Sequence, residues 1–157
     1  MPGFEHFGKE EIKEVNDVLE TGIMMRYGFD GPRKGIWKAK ELEDAICQTF
    51  GCKHAQLVSS GTAALTTAMS ALGIGYGDEV ILPAFTFVAS FEAVISVGAI
   101  PVFVDVDDTL TLDPQSVRNA ITSKTKCIMP VHMCGSMADM DALQAICKDH
   151  KLILLED

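Results

Sequence analysis

The chain has 157 residues, of which 22 are acidic and 13 are basic, so its formal net charge is −9. Hydrophobic residues make up 48% and charged residues 22%, which is typical of a globular protein and excludes a disordered or collagen-like chain. The acidic balance disfavours nucleic acid and anionic membranes as partners, and no apolar run approaches the ~20 residues of a membrane span. The N-terminus lacks the features of a signal peptide. We therefore expect a cytoplasmic protein.

Five cysteines without a CxxC pair suit a reducing compartment, where buried thiols pack as small hydrophobic groups. His132 and Cys134 could begin a metal site, but no two further ligands follow at a matching spacing. We therefore predict that the chain has no metal site.

Two predicted helices in the first part of the chain are separated by a glycine-rich segment. Apolar residues at helical spacing predict one helix over Lys9–Glu20, ending at Gly22, and another over Trp37–Phe50. Residues 22–35, GIMMRYGFDGPRKG, contain four glycines and one proline, which predicts a flexible loop. Residues 1–36 are thus predicted to be an N-terminal arm, helix and loop.

Short apolar runs alternate with helical patterns in the rest of the chain. Strands are predicted over residues 54–58, 79–83, 100–106, 127–131 and 152–155, and each of the first four precedes a helix. Because these runs are continuously apolar, both faces of the sheet are expected to be covered. The predicted fold is α/β, with a mainly parallel sheet and helices on both faces. The last strand has no following helix, so we expect the sequence to be the first part of something larger.

Ligands of open α/β sheets bind beyond the carboxyl ends of the strands, and two candidate features lie where helices begin there. Ser60-Gly61 leads directly into a helix, so the N–H groups of Thr62 and Ala63 form a candidate phosphate site. Alternatively, the hydroxyl side chains only cap that helix. Phe87 follows the next strand and could place its ring against a planar ligand, or it could belong to the core.

A third feature at this edge is the pair Glu156-Asp157, which follows the last apolar strand. A carboxylate in this position can bond a cationic ring nitrogen of a ligand and keep it protonated, although a solvated turn is the simpler interpretation. A phosphate site, a flat aromatic ring and a carboxylate at one edge are together what pyridoxal phosphate requires.

Five segments carry a resemblance to a known family: SSGTAAL, ALGIGYGDEVILPAFTFVAS, GAIPVFVDVD, MPVHMCGSMADMDAL and LILLED. Their order and spacing resemble those of DegT/DnrJ/StrS-type sugar aminotransferases, which are pyridoxal-phosphate enzymes of the aspartate aminotransferase fold (fold type I). The resemblance covers residues 7–157. It implies that residues 37–157 are part of the cofactor-binding large domain.

The resemblance also assigns roles to individual residues. Thr62 and Ala63 would bind the cofactor phosphate, Phe87 would stack on the pyridine ring, and Asp157 would pair with the ring nitrogen. His132 would lie close beneath the cofactor and would have at most an indirect role, acting through other residues.

The family transfers an amino group from glutamate to a keto- or aldehydo-sugar, often for cell-surface polysaccharides, and works as a homodimer. Arg26 and Tyr27 in the glycine-rich segment are candidate substrate-binding residues, and the nearby cations suit a nucleotide-linked sugar or an acidic ulosonate. The Schiff-base lysine of the family lies beyond Asp157, so we expect the chain alone to be inactive. Two alternatives stay open: a sugar dehydratase of the same superfamily, and a non-catalytic binding or oligomerisation module.

Overall fold

The computed structural model describes residues 3–157, which divide into two units, one extending to Leu57 and the other comprising Val58–Asp157. The sequence predicts a different boundary, between residues 36 and 37, for the start of the cofactor-binding domain. The two compact units do not test that assignment, so it stays a prediction.

The first unit contains a short 3-10 helix (Phe4–His6) and the α-helices α1 (Lys9–Thr21), α2 (Asp30–Arg33) and α3 (Lys38–Phe50). Helix α1 begins where the Gly8 N–H group donates to a carboxylate oxygen of Glu11, with an N–O distance of 2.7 Å. It ends at Gly22, whose φ of 67° is a conformation that glycine adopts without steric cost. The two long helices predicted from apolar spacing are therefore confirmed.

The glycine-rich segment between α1 and α3 is held by side-chain contacts. The Arg33 guanidinium donates from Nε to the carbonyl oxygen of Gly28 at 2.8 Å and lies 4.7 Å from the centroid of the Trp37 ring. The indole N–H of Trp37 donates to the carbonyl oxygen of Arg26 at 3.2 Å. The predicted loop thus contains a short helix and a cation–π contact, which its glycine content did not indicate.

The second unit is built on a parallel sheet of four strands in the order β2-β1-β3-β4. The strands are β1 (Glu79–Pro83), β2 (Ile100–Val104), β3 (Thr125–Ile128) and β4 (Ile153–Leu154). The helices are α4 (Gly61–Ala71), α5 (Val88–Ser96), α6 (Pro114–Ala120) and α7 (Met140–His150). The α/β fold with a mainly parallel sheet is confirmed.

The strand predicted over residues 54–58 is absent from the structure, so that prediction is wrong. A strand is stabilised by N–H and C=O groups paired with a neighbouring strand. Here the N–H group of Leu57 instead donates to the Glu43 carboxylate, with an N–O distance of 2.8 Å. The apolar run alone could not show that this segment has no strand beside it.

Alternate residues of β1 enter two separate hydrophobic clusters. Val80 and Leu82 pack with Leu65 of α4 and Val94 of α5, whereas Ile81 packs on the opposite face of the sheet with α6 and α7. Both faces are therefore covered, which explains the continuously apolar strand sequences. Since all strands are parallel, their carboxyl ends lie at one edge. None of the helices in the described part of the chain is both long and apolar enough to cross a membrane.

Candidate functional site

A cavity of about 260 Å³ lies at the carboxyl edge of the sheet, which we call the edge cavity. Its walls come from the beginnings of α4 and α5 and from the segments after β3 and β4. The lining residues are Gly61, Thr62, Leu65, Phe87, Ala89, Ser90, Val131 and Asp157. The structure thus brings three of the predicted cofactor residues, Thr62, Phe87 and Asp157, to one cavity.

The beginning of α4 leaves two backbone donors at this cavity. Ser60 caps the helix, since its hydroxyl oxygen accepts from the Ala63 N–H group at 3.1 Å. Among residues 3–157, no acceptor is recorded for the N–H groups of Gly61 and Thr62. These two groups, at the positive end of an 11-residue helix, can bind an anion such as phosphate. Ala63 does not line the cavity, so its phosphate contact stays a prediction.

Phe87 is the residue that precedes α5, and its side chain is not part of the core. It is 69% exposed, and its backbone is extended (φ −71°, ψ 143°) immediately before the first turn of the helix. A ring this exposed at the wall of a cavity is available to a planar ligand.

Asp157 is fixed at the cavity by backbone and side-chain bonds. Its N–H group donates to the Pro130 carbonyl at 2.9 Å, and its carbonyl accepts from the His132 N–H group at 3.1 Å. These bonds continue the pairing of β3 with β4 beyond the ends of both strands. The carboxylate oxygen Oδ2 accepts from the Ser90 hydroxyl at 2.6 Å. Sequence reasoning missed Ser90, although a serine between apolar helix residues at a strand end was a possible signal.

His132 faces the other carboxylate rather than the cavity. Its Nε2 lies 3.0 Å from a carboxylate oxygen of Glu156, and its Nδ1 accepts from the Ala138 N–H group at 3.2 Å. An accepting Nδ1 places the hydrogen of the neutral ring on Nε2, directed at Glu156. His132 is not among the residues that line the edge cavity, so its predicted place beneath a cofactor stays a prediction.

The candidate substrate residues Arg26 and Tyr27 line a cavity of about 350 Å³ within the first unit. Arg26 Nη2 lies 2.6 Å from a carboxylate oxygen of Glu43, a buried residue of α3. This contact holds the pKa of the Glu43 carboxyl below its ordinary value and raises the pKa of the Arg26 guanidinium. Tyr27 is 75% exposed. Arg26 is thus committed to an ion pair, and Tyr27 is the more available of the two for a ligand.

Comparison with known proteins identifies the family. The profile of the DegT/DnrJ/EryC1/StrS aminotransferase family matches residues 5–157. The chain belongs to this family. This match confirms the resemblance drawn from the sequence motifs. The family is pyridoxal-phosphate-dependent.

Individual relatives agree with this assignment. The spore coat polysaccharide biosynthesis protein SpsC of Bacillus subtilis (strain 168) is 44% identical over 151 residues, which are 96% of this chain and 36% of SpsC. The crystal structure of 3-amino-5-hydroxybenzoic acid synthase has 43% identity and a TM-score of 0.88 over 96% of this chain and 38% of that one.

A third relative has a different named activity. The Escherichia coli GDP-4-keto-6-deoxy-D-mannose-3-dehydratase with bound hydrated pyridoxal phosphate has 30% identity and a TM-score of 0.80, over 96% of this chain and 38% of that one. The fold therefore matches part of the large domain of fold type I aminotransferases, and the chain spans little more than a third of these relatives.

Proposed function

We propose that this chain forms the cofactor-binding part of a pyridoxal-phosphate-dependent aminotransferase that transfers an amino group from glutamate to a keto- or aldehydo-sugar. The supporting observation is the edge cavity, where two N–H donors, an exposed ring and a carboxylate meet. These three kinds of group fit the three parts of pyridoxal phosphate, which are an anionic phosphate, a planar ring and a basic ring nitrogen.

In this proposal each residue acts on one part of the cofactor. The N–H groups at Gly61 and Thr62 bind the phosphate, with Ala63 assigned to it by resemblance, and Phe87 packs against the ring. Asp157 keeps the ring nitrogen protonated, because a carboxylate stabilises an adjacent cation. When bound, pyridoxal phosphate supplies an electron sink that allows an amino group to move between carbon atoms.

The substrate part of the proposal concerns the first unit. Tyr27 and Arg26 are proposed to contact the sugar substrate, a nucleotide-linked sugar or an acidic ulosonate. The ion pair with Glu43 holds the Arg26 guanidinium in place, 5.9 Å from the centroid of the exposed Tyr27 ring, so the two groups lie side by side. We also propose that the protein is a cytoplasmic homodimer, in keeping with its five free cysteines and the soluble enzymes of its family.

We further propose that residues 1–157 alone do not transaminate. A lysine that bonds the cofactor must reach its aldehyde carbon and be partly deprotonated there. Among the described residues, no lysine lines the edge cavity.

Binding of pyridoxal phosphate to the purified chain tests the cofactor assignment. The chain is expected to bind it non-covalently, so that borohydride fixes none of it through an active-site lysine. Asp157→Asn is expected to weaken binding by about 10- to 100-fold, since a charge-assisted bond is lost. The matched control Glu156→Gln changes the adjacent carboxylate, which faces His132, and should leave affinity within about twofold of wild type.

Absence of binding, or equal losses in the two variants, would contradict the cofactor assignment. Sustained glutamate-dependent amination by the homogeneous chain would contradict the proposed inactivity.

A sugar dehydratase is the second candidate function, favoured by the similarity to the mannose dehydratase. Mass spectrometry of the sugar product from the full-length protein separates the two. Replacement of a carbonyl oxygen by an amino group supports the aminotransferase, whereas loss of water supports the dehydratase. A protein that binds neither cofactor nor sugar would instead be a non-catalytic module.

A further inference from the structure

The hydroxyl of Ser90 is a buried polar group to which the proposed cofactor roles give no function. Ser90 lies in the first turn of α5, is 1% exposed and lines the edge cavity. Its hydroxyl donates to Asp157 Oδ2 at 2.6 Å, and the Thr86 hydroxyl oxygen lies 2.8 Å from Ser90 Oγ. Because the single hydroxyl hydrogen of Ser90 is directed at the carboxylate, Thr86 must be the donor in the second bond. The result is a hydrogen-bond chain that ends on Asp157.

This chain of bonds leaves one carboxylate oxygen of Asp157 available. The backbone of Asp157 is fixed from both sides by Pro130 and His132. Its side chain is held at Oδ2 by Ser90, and no donor within residues 3–157 is recorded for Oδ1. The direction of the available oxygen is therefore set by the hydroxyl of Ser90.

We propose that Ser90 is a positioning residue that presents the free carboxylate oxygen of Asp157 to the ring nitrogen of the cofactor, with Thr86 orienting the Ser90 hydroxyl. The inference rests on the proposed function, since it requires that pyridoxal phosphate binds in the edge cavity. Ser90 acts through Asp157.

The two possible roles of the Ser90 hydroxyl, a purely structural one and a positioning one, lead to different expected results when the hydroxyl is removed. A hydrogen bond to a carboxylate makes that carboxylate less basic. If the bond only satisfied the buried hydroxyl of Ser90, its removal would leave the Asp157 carboxylate in place, and the ring nitrogen would keep its proton to the same or a higher pH. If Ser90 positions Asp157, its removal lets the carboxylate turn away, and the nitrogen loses its proton at a lower pH.

Nuclear magnetic resonance of pyridoxal phosphate isotope-labelled at the ring nitrogen, bound to the full chain, measures this difference. Two titratable residues adjoin Asp157: His132, whose backbone N–H group donates to the Asp157 carbonyl, and Glu156, the preceding residue. Their side chains face each other and are unchanged in the variants. Ser90→Ala is expected to lower the pH at which the ring nitrogen loses its proton, towards the value found in Asp157→Asn. It is also expected to weaken cofactor binding by about 10-fold. Ser90→Thr, which keeps the hydroxyl, is expected to restore both.

Two further variants complete the design. Thr86→Val removes the hydroxyl that donates to Ser90, at a position outside the core. It should shift the titration of the ring nitrogen in the same direction as Ser90→Ala, by a smaller amount. It also tests the inference if Ser90→Ala fails to fold. Ser96→Ala is the matched control on the same helix, because the Ser96 hydroxyl donates only to the Glu92 carbonyl at 2.7 Å. It should leave the titration and the affinity unchanged.

The possible failures are distinguishable. If wild type binds the cofactor and Asp157→Asn weakens it, but Ser90→Ala and Thr86→Val leave the titration unchanged or raise it, the positioning role is overturned and the proposed function stands. If wild type does not bind pyridoxal phosphate, both are overturned.

Discussion

Side chains with the same functional group differ in their chemistry in this protein because of what each one contacts. Glu156 and Asp157 are adjacent carboxylates, yet Glu156 is bonded to His132, whereas Asp157 accepts a bond from a buried serine inside the edge cavity. The cysteines differ in the same way. Cys52 and Cys134 are exposed, while Cys127 and Cys147 are buried. Surroundings, rather than residue type, set the chemistry of each group.

Burial of two cysteines leads to a prediction about thiol reactivity. Desolvation raises the pKa of the Cys127 thiol to about 12 and that of Cys147 to about 11. Because only the thiolate reacts, an alkylating agent at about pH 8 should modify these two at least about 100-fold more slowly than Cys52 and Cys134. Mass spectrometry of alkylated native protein checks this, with denatured protein as the control. Equal rates at all sites would show that the buried thiols are open to solvent.

At the scale of elements, Glu43 of α3 makes a further contact that holds the glycine-rich segment. The Glu43 carboxylate accepts from the Arg26 side chain at 2.6 Å and from the Leu57 N–H group at 2.8 Å. One side chain therefore joins the segment before α3 to the segment after it. The substrate role proposed for Arg26 and Tyr27 depends on this contact, because it ties the Arg26 side chain to α3.

The lowered pKa of Glu43 predicts acid sensitivity. The bond to Arg26 is the main cause, and the ordinary value is 4.5. Folding favours the charged form of Glu43. The stability that this charge gives the folded protein is therefore fully present above pH 4.5, and it is lost as the pH falls through the lowered pKa of Glu43. In Glu43→Gln the melting temperature should be lower near neutral pH and should fall less than in wild type over that acid range. The control Asp44→Asn changes an exposed neighbour and should keep the wild-type pH dependence.

At the scale of the whole second unit, the sheet separates two hydrophobic clusters and brings the candidate cofactor residues Thr62, Phe87 and Asp157 to one edge. Asp157 follows β4, and the strand order places β4 beside β3 and β3 beside β1. Helix α5, which follows β1, then carries Ser90 to Asp157 although 67 positions separate them in the sequence. The site is thus a consequence of strand order.

The packing predicts unequal costs for two similar substitutions in the sheet. Ile81 of the inner strand β1 is fully buried, whereas Ile100 of the edge strand β2 is 44% exposed. Ile81→Ala is expected to lower the free energy of unfolding by about 3 kcal/mol, from lost burial and a cavity. The matched change Ile100→Ala should cost less than about 1 kcal/mol. Denaturant unfolding measures both, and equal losses would contradict the burial pattern.

Local patterns in the chain determined much of this protein. Apolar spacing and glycine position predicted helices α1 and α3, and continuously apolar runs predicted a sheet covered on both faces. Motif order predicted the family. The helices and the apolar runs depend on residues close together in the chain, and the motifs are read from the sequence directly, so the sequence alone was sufficient for these features. The strand predicted at residues 54–58 failed because strand formation also requires a neighbour, which no local pattern reveals.

Only the tertiary structure decided which groups meet. The hydrogen bond from Ser90 to Asp157 and the pairing of His132 with Glu156 depend on strand order and on side-chain direction. The sequence by itself determined the fold class, the family and the candidate residues Thr62, Phe87 and Asp157. Folding determined their partners, because a hydrogen bond requires two groups within about 3 Å, a distance that separation along the chain does not encode.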